Sequence, residues 1–248
     1  MDAAIQLLLV LLLGLLAGTV GGIVGFGTSI MLMPALVLVF GPREAVPIMA
    51  IASILANASR VAAWWREVDW RATAAYSATG VPAAALGAQT LLSLPPGLVE
   101  ALLGTFFIGM IPVRRWLLRQ QWALRLWHLG IVGAAIGFLT GIVVSTGPIN
   151  TPFFLAYGLV KGAYLGTEAM ASLAVYGAKA LTFRAFGALP LQTLAQGLIV
   201  GASLMGGAFI ARRLVLGIDA SRFQRMMDGL LLLAGLSMLW AALRPALG

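Results

Sequence analysis

The sequence predicts an all-α polytopic membrane protein built from two inverted repeats, each a broken, re-entrant helical hairpin followed by three transmembrane helices. Three observations carry this reading. Of the 248 residues, 61% are hydrophobic and only 10% charged, with a mean hydropathy of +0.99; a soluble domain carries about 25% charge. Several apolar runs reach the roughly 18 residues needed to cross a bilayer core. Lastly, Gly- and Pro-rich interruptions fall at matching places in the two halves of the chain.

Taken in order, the apolar segments are about 3–22, 29–40, 46–65, 72–94, 98–116, 127–144, 151–160, 168–186, 191–211 and 226–243. The first, "MDAAIQLLLVLLLGLLAG", carries Asp2 where a signal peptide has basic residues, and it shows no cleavage site, so it reads as a membrane segment. The segments 29–40 and 151–160 are too short to span with ease and read as re-entrant. No hydrophilic stretch is long enough for a soluble domain. Residues 1–248 therefore form a single membrane domain: repeat one about 3–116, a cytoplasmic linker about 117–126, and repeat two about 127–243.

A shift of about 121 residues aligns the halves. "GLLAGTVGGIVGFGTSI" meets "GFLTGIVVSTGPINT" with a small gap, and "MAIASILANASRVAAWW" meets "MASLAVYGAKALTFRAF" without one. "GVPAAALGAQTL" meets "GASLMGGAFIAR", and "LLGTFFIGM" meets "LLLAGLSML". Charge decides the relative direction of the repeats. If each broken hairpin returns to the side it entered from, three crossings per half invert the second repeat. The inner loops then hold Arg66, Arg71, Arg114, Arg115, Arg119, Arg125, Lys161, Arg212, Arg213, Arg222 and Arg225, and the outside only Arg43, Arg184 and Arg244. Basic residues favour the cytoplasmic side, so inversion is preferred over a parallel arrangement, with both termini outside. The same loops account for the net charge of +8 without nucleic acid.

Broken helices at membrane depth must be buried in protein or line a wet cavity, because lipid offers the freed backbone no partners. "STGPINTPFF" (Ser145 to Phe154) and "GGIVGFGTSIMLMP" (Gly21 to Pro34) therefore belong in the interior. Each reads as the start of a half-helix: Asn150 or Thr151 as N-cap with Pro152 at the first helical position, and Thr28 or Ser29 as N-cap in the first half. Helix starts expose free N–H groups and the positive end of the dipole, a ready site for an anion. Two of them meeting near the midplane predict a cage for a small anion, in the manner of transporters with paired interrupted segments.

Lys179 lies near the middle of its segment, at a depth where a lysine costs about 2.5–3.5 kcal/mol to insert, so it should face a cavity. Glu168, Glu100 and Asp228 read as lying near helix ends, which leaves a bound anion as its counter-ion. Ser172 and Tyr176 share its face, while Ser53, Asn57 and Arg60 share a face of the equivalent helix. Asn57 and Ser53 suit interhelical hydrogen bonds as well as a cavity, and Arg60, just before Trp64 and Trp65, reads as a side chain that snorkels to the inner interface. The candidate substrate-binding set is Gly25, Gly27, Thr28, Ser29, Asn57, Ser145, Thr146, Gly147, Asn150, Thr151, Tyr176 and Lys179. No metal site, cofactor or catalytic set is expected. The chain has no cysteine and one histidine, His128, which reads as interfacial beside Trp127.

A first helix leading into "GIVGFGTSIMLMPAL", with a weaker copy about 120 residues on, resembles the sulfite exporter TauE/SafE family of membrane transporters. The second copy departs from the glycine-rich form with "STGPINTP". The resemblance covers nearly the whole chain. It implies a multi-pass permease of the bacterial inner membrane that exports sulfite or a small organosulfonate such as sulfoacetate. An anion channel, or a proton-coupled uptake permease for another small anion, would use the same cage. Glycine-rich faces such as "GASLMGGAF" suit packing within the chain or between subunits of a homo-oligomer.

Overall fold

The computed structural model describes residues 3–24, 27–120, 122–143 and 146–214, together with 228–229, 232–233, 235–236 and 239–240. Every regular element among them is helical: α1 (Ala3–Val24), α2 (Thr28–Phe40), α3 (Pro42–Trp64), α4 (Trp70–Ser93), α5 (Pro96–Arg119), α6 (Leu126–Ile142), α7 (Gly147–Ala156), α8 (Lys161–Ala185) and α9 (Leu191–Leu214), with one 3-10 turn at Trp65–Glu67. Most of the tenth apolar segment, 226–243, lies outside the described residues.

Among the described residues, three stretches are long and apolar enough to cross a membrane: Glu44–Glu67, Gly97–Leu117 and Leu191–Ile210. Leu7–Gly22, Thr28–Phe40 and Leu126–Ile142 are shorter apolar helices. At 13 and 10 residues, α2 and α7 extend only about 20 and 15 Å at 1.5 Å per residue. Large apolar side chains stand exposed along the flanks, among them Leu16, Leu38, Ile131, Leu181 and Phe209, as lipid-facing surface requires.

The helix ends gather in two groups. At one end Trp64 packs against Gly162 and Gly166, and the Asp69 amide donates to Thr167 Oγ1 at 2.9 Å. There too the Leu124 amide donates to Ala156 O at 2.9 Å, so α7 finishes where α6 begins. Across the same region Trp122 meets Trp116 edge to face and stacks on Phe153. At the other end the start of α3 (Glu44, Val46, Pro47), the end of α4 (Leu91, Leu92), the end of α8 (Phe183) and the start of α9 (Thr193) line one cleft. Consequently α3 and α8 run antiparallel.

Small residues set the closest crossings. Gly133, Gly137 and Gly141, spaced one turn apart on α6, lie against the backbone of Tyr76, Gly80 and Ala84 on α4. On the α1–α9 pair, Gly14 faces Ser203, Gly18 faces Leu204, and Gly207 faces Leu15. The glycine-rich stretch of α9 is thus used inside the chain. Two helix pairings recur when the halves are exchanged: α4 with α6 answers α9 with α1, and α3 with α9 answers α8 with α4. Tyr76 on α4 and Phe154 on α7 meet with ring centroids 5.3 Å apart and fix α7 against the bundle.

Candidate functional site

The two helix starts differ in detail from the sequence expectation. The cap of α2 is Gly27, whose φ of 107° lies in the left-handed region open to glycine, and Thr28 is already helical. The cap of α7 is Thr146, with Pro148 in the first turn. Asn150 and Thr151 are therefore inside α7 and not at its cap. Pro148 takes the role expected of Pro152, because a proline costs least where the N–H has no intrahelical partner anyway. No side chain caps either start among the described residues. At α7 Pro148 has no N–H and the Ile149 amide donates to Thr146 O at 3.0 Å, so the helix ladder leaves only the Gly147 N–H there, and the first-turn N–H groups of α2, without a partner within the helix.

Both starts open into one cavity of about 40 Å³, room for roughly three waters or one small anion. Its wall includes Gly18, Gly21 and Gly22 of α1, Gly27, Thr28 and Ser29 at α2, Thr146 and Gly147 at α7, and Leu204 and Ala208 of α9. The rest comes from two polar faces: Ser53, Asn57 and Arg60 of α3, and Glu168, Ser172 and Tyr176 of α8, each running turn by turn down its helix. Asn57 Nδ2 donates to its own helix at Ser53 O (2.8 Å), and Arg60 Nη2 donates to Asn57 Oδ1. Ser53 is 3% exposed, and its hydroxyl finds no hydrogen-bond partner among the described residues.

Of the candidate residues, Gly27, Thr28, Ser29, Asn57, Thr146, Gly147 and Tyr176 line this cavity, and Gly25 and Ser145 lie outside the described residues. Asn150 and Thr151 are buried behind the wall. Asn150 Nδ2 reaches Glu168 Oε1 at 3.5 Å, and the Thr151 hydroxyl bonds Gly147 O and Tyr164 OH.

Lys179 requires a correction. Its ammonium, 1% exposed, donates to Thr140 O (2.7 Å) and Val143 O (2.8 Å), the carbonyls left without partners where α6 stops. A cation at a helix C-terminus satisfies both the orphan oxygens and the negative end of the dipole. The counter-ion sought in a bound anion is thus supplied by backbone. The cavity reaches Tyr176, one turn short of Lys179 on the same face.

Two charged groups that line the cavity escaped the sequence reading. Arg60 does not snorkel away; its side chain is 12% exposed and Nη1 lies 2.9 Å from Glu168 Oε2. Glu168 is not at a helix end in the sense expected. It stands two turns inside α8, 2% exposed, with the Ser172 hydroxyl donating to Oε1 at 2.7 Å. The available signal was its spacing: Glu168, Ser172 and Tyr176 repeat every four residues. Beyond Arg60 a wider vestibule of about 340 Å³, lined by Gly22, Ser59, Arg60, Ala62, Ala63, Trp64, Ala208 and Phe209, adjoins the cavity toward the Trp64 end.

A helical bundle with apolar flanks and a small polar cavity between two helix starts has the architecture of a membrane transporter, not of a soluble domain. The model of the family described as sulfite exporter TauE/SafE matches residues 10–238, and the chain belongs to that family. It is accordingly a multi-pass membrane transporter. No curated protein and no solved structure matches the chain.

Proposed function

We propose that the chain moves a small oxyanion, sulfite or a small organosulfonate such as sulfoacetate, out of the bacterial cell across the inner membrane by alternating access. The anion sits between the starts of α2 and α7, with Ser53, Asn57 and Arg60 on one side and Ser172 and Tyr176 on the other. The observation that carries this is the convergence of both uncapped helix starts on one buried cavity. Each start presents roughly half a positive charge to it. The antiparallel run of α3 and α8, and the two pairings that recur on exchange of the halves, support inverted repeats with re-entrant α1–α2 and α6–α7 hairpins. With the inside negative, loss of one negative charge is favoured by about 2.3 kcal/mol per 100 mV, so export of an anion needs no other driving force.

The test is flux from proteoliposomes loaded with sulfite or sulfoacetate under a potassium-diffusion potential of either sign. Release above protein-free vesicles, saturating with anion, is expected. Loss of the charged bond in Arg60→Gln should raise the half-saturating concentration about tenfold or more. Flux that rises without saturation would identify a channel, and no release of either anion would overturn the substrate assignment.

A further inference from the structure

The cavity read above as an anion site contains a resident anion of its own. The Glu168 carboxylate lies in the same wall as both helix starts and occupies Arg60, the cation nearest the vestibule. An incoming oxyanion and Glu168 must then share one small cavity and one guanidinium. Two anions held this close to one guanidinium repel each other, and uptake of a proton by the pair would relieve that repulsion.

The groups around Glu168 allow this. Among the described residues it meets Arg60 from α3 and the neutral amide of Asn150 from α7. From α4 the phenol of Tyr76 bears on it, and from its own helix those of Tyr164 and the hydroxyl of Ser172. Arg60 is the one full positive charge among these groups, so when an oxyanion takes it the carboxylate loses its compensation.

The repeat alignment adds a second observation. The ungapped match of 49–65 with 170–186 extends to put Pro47 opposite Glu168 and Leu181 opposite Arg60. The ion pair is therefore present on only one side of the repeat symmetry, at the Trp64 end, where the vestibule opens. Generic packing of related helices would place it on both sides or neither.

Resting on the transport reading above, we propose that Glu168 is the proton-coupling residue: the substrate oxyanion displaces it from Arg60, Glu168 takes up a proton, and anion and proton cross together. Departure of the anion returns Arg60 to Glu168, which releases the proton. With one proton aboard, a dianion such as sulfoacetate still carries one net negative charge, so the direction of net transport follows the anion gradient, the proton gradient and the membrane potential acting on that charge together.

The experiment uses the full chain in proteoliposomes with a luminal pH dye, the membrane potential clamped, and sulfoacetate as the probe. Both of its acid groups stay ionised between about pH 6 and 8, so protons that move with it are carried by protein. Wild type is expected to move about one proton per sulfoacetate. In Glu168→Gln the ratio falls to about zero, and in Glu168→Asp, which keeps a carboxyl, it stays near one. A ratio per anion moved does not depend on how much protein folds. Sulfoacetate flux in wild type with no proton movement overturns the proposal without any variant and leaves the transport reading standing. So does proton movement that persists in Glu168→Gln. Absence of sulfoacetate flux overturns the organosulfonate reading, and this proposal falls with it.

Discussion

At the scale of single residues, Lys179 lies against backbone and Arg60 lines the cavity. Lys179 completes the break between α6 and α7. It holds Thr140 O and Val143 O, and the Thr140 hydroxyl in turn meets that of Thr146, the cap of α7, at 2.6 Å. Lys179→Met should leave those carbonyls buried without donors and cost about 1.5–3 kcal/mol, read as a lower melting temperature in detergent. Because Lys179 does not line the cavity, the half-saturating anion concentration of the surviving protein should stay within about twofold of wild type, a shift of less than 0.5 kcal/mol. A large loss of anion affinity at unchanged stability would restore it as a ligand. Sequence showed that a buried lysine needed an acceptor. It did not show that the acceptor is backbone, because periodicity gives the face of a helix and says little about which neighbour's end lies against it. The same blindness to depth hid Glu168, whose partner Arg60 is far along the chain.

At the scale of elements, the fold was legible. Of the ten apolar segments, the nine that fall on described residues are helices, and the two short ones are α2 and α7, because length and glycine or proline breaks are local properties. Their exact starts were not legible: Thr146 competes with Asn150 and Thr151 as a cap, and the winner depends on the packing of Thr151 against Tyr164. The glycines of α6 were visible as composition, yet their partners on α4 required the structure. A Cβ at Gly137 would run into the backbone of Gly80, which cannot turn aside as a side chain can. Gly137→Leu should therefore separate α4 from α6 and cost about 3 kcal/mol or more. On the exposed side of the same helix, Ala135→Leu should cost under about 0.5 kcal/mol. Thermal unfolding of the two variants in one detergent compares them directly. Equal melting temperatures would mean that the α4–α6 crossing is looser than the glycine spacing implies.

At the scale of the whole molecule, one end of the bundle differs from the other in chemistry. Trp64, Trp65, Trp70, Trp116, Trp122 and Trp127 all lie toward the end where α3 and α5 finish and α4 and α6 begin, and most of them are exposed. Arg66, Arg71, Arg114, Arg115, Arg119 and Arg125 sit on the same end, two of them held by Asp228. Indole rings settle at the headgroup level, and basic residues stay on the cytoplasmic side. This end should therefore face the cytoplasm, which sets the vestibule beyond Arg60 toward the cell interior. The chain lacks cysteine, so single cysteines can be placed without altering any background residue. Ala123→Cys, exposed in the linker between α5 and α6, and Ser93→Cys, exposed at the far end of α4, lie on opposite sides in this orientation. A membrane-impermeant maleimide added to intact cells should label Ser93→Cys and spare Ala123→Cys until the cells are opened. The reverse pattern would turn the molecule over: the Arg60–Glu168 pair would then lie nearest the outside, and the first proton exchange of an export cycle would draw on the external pH.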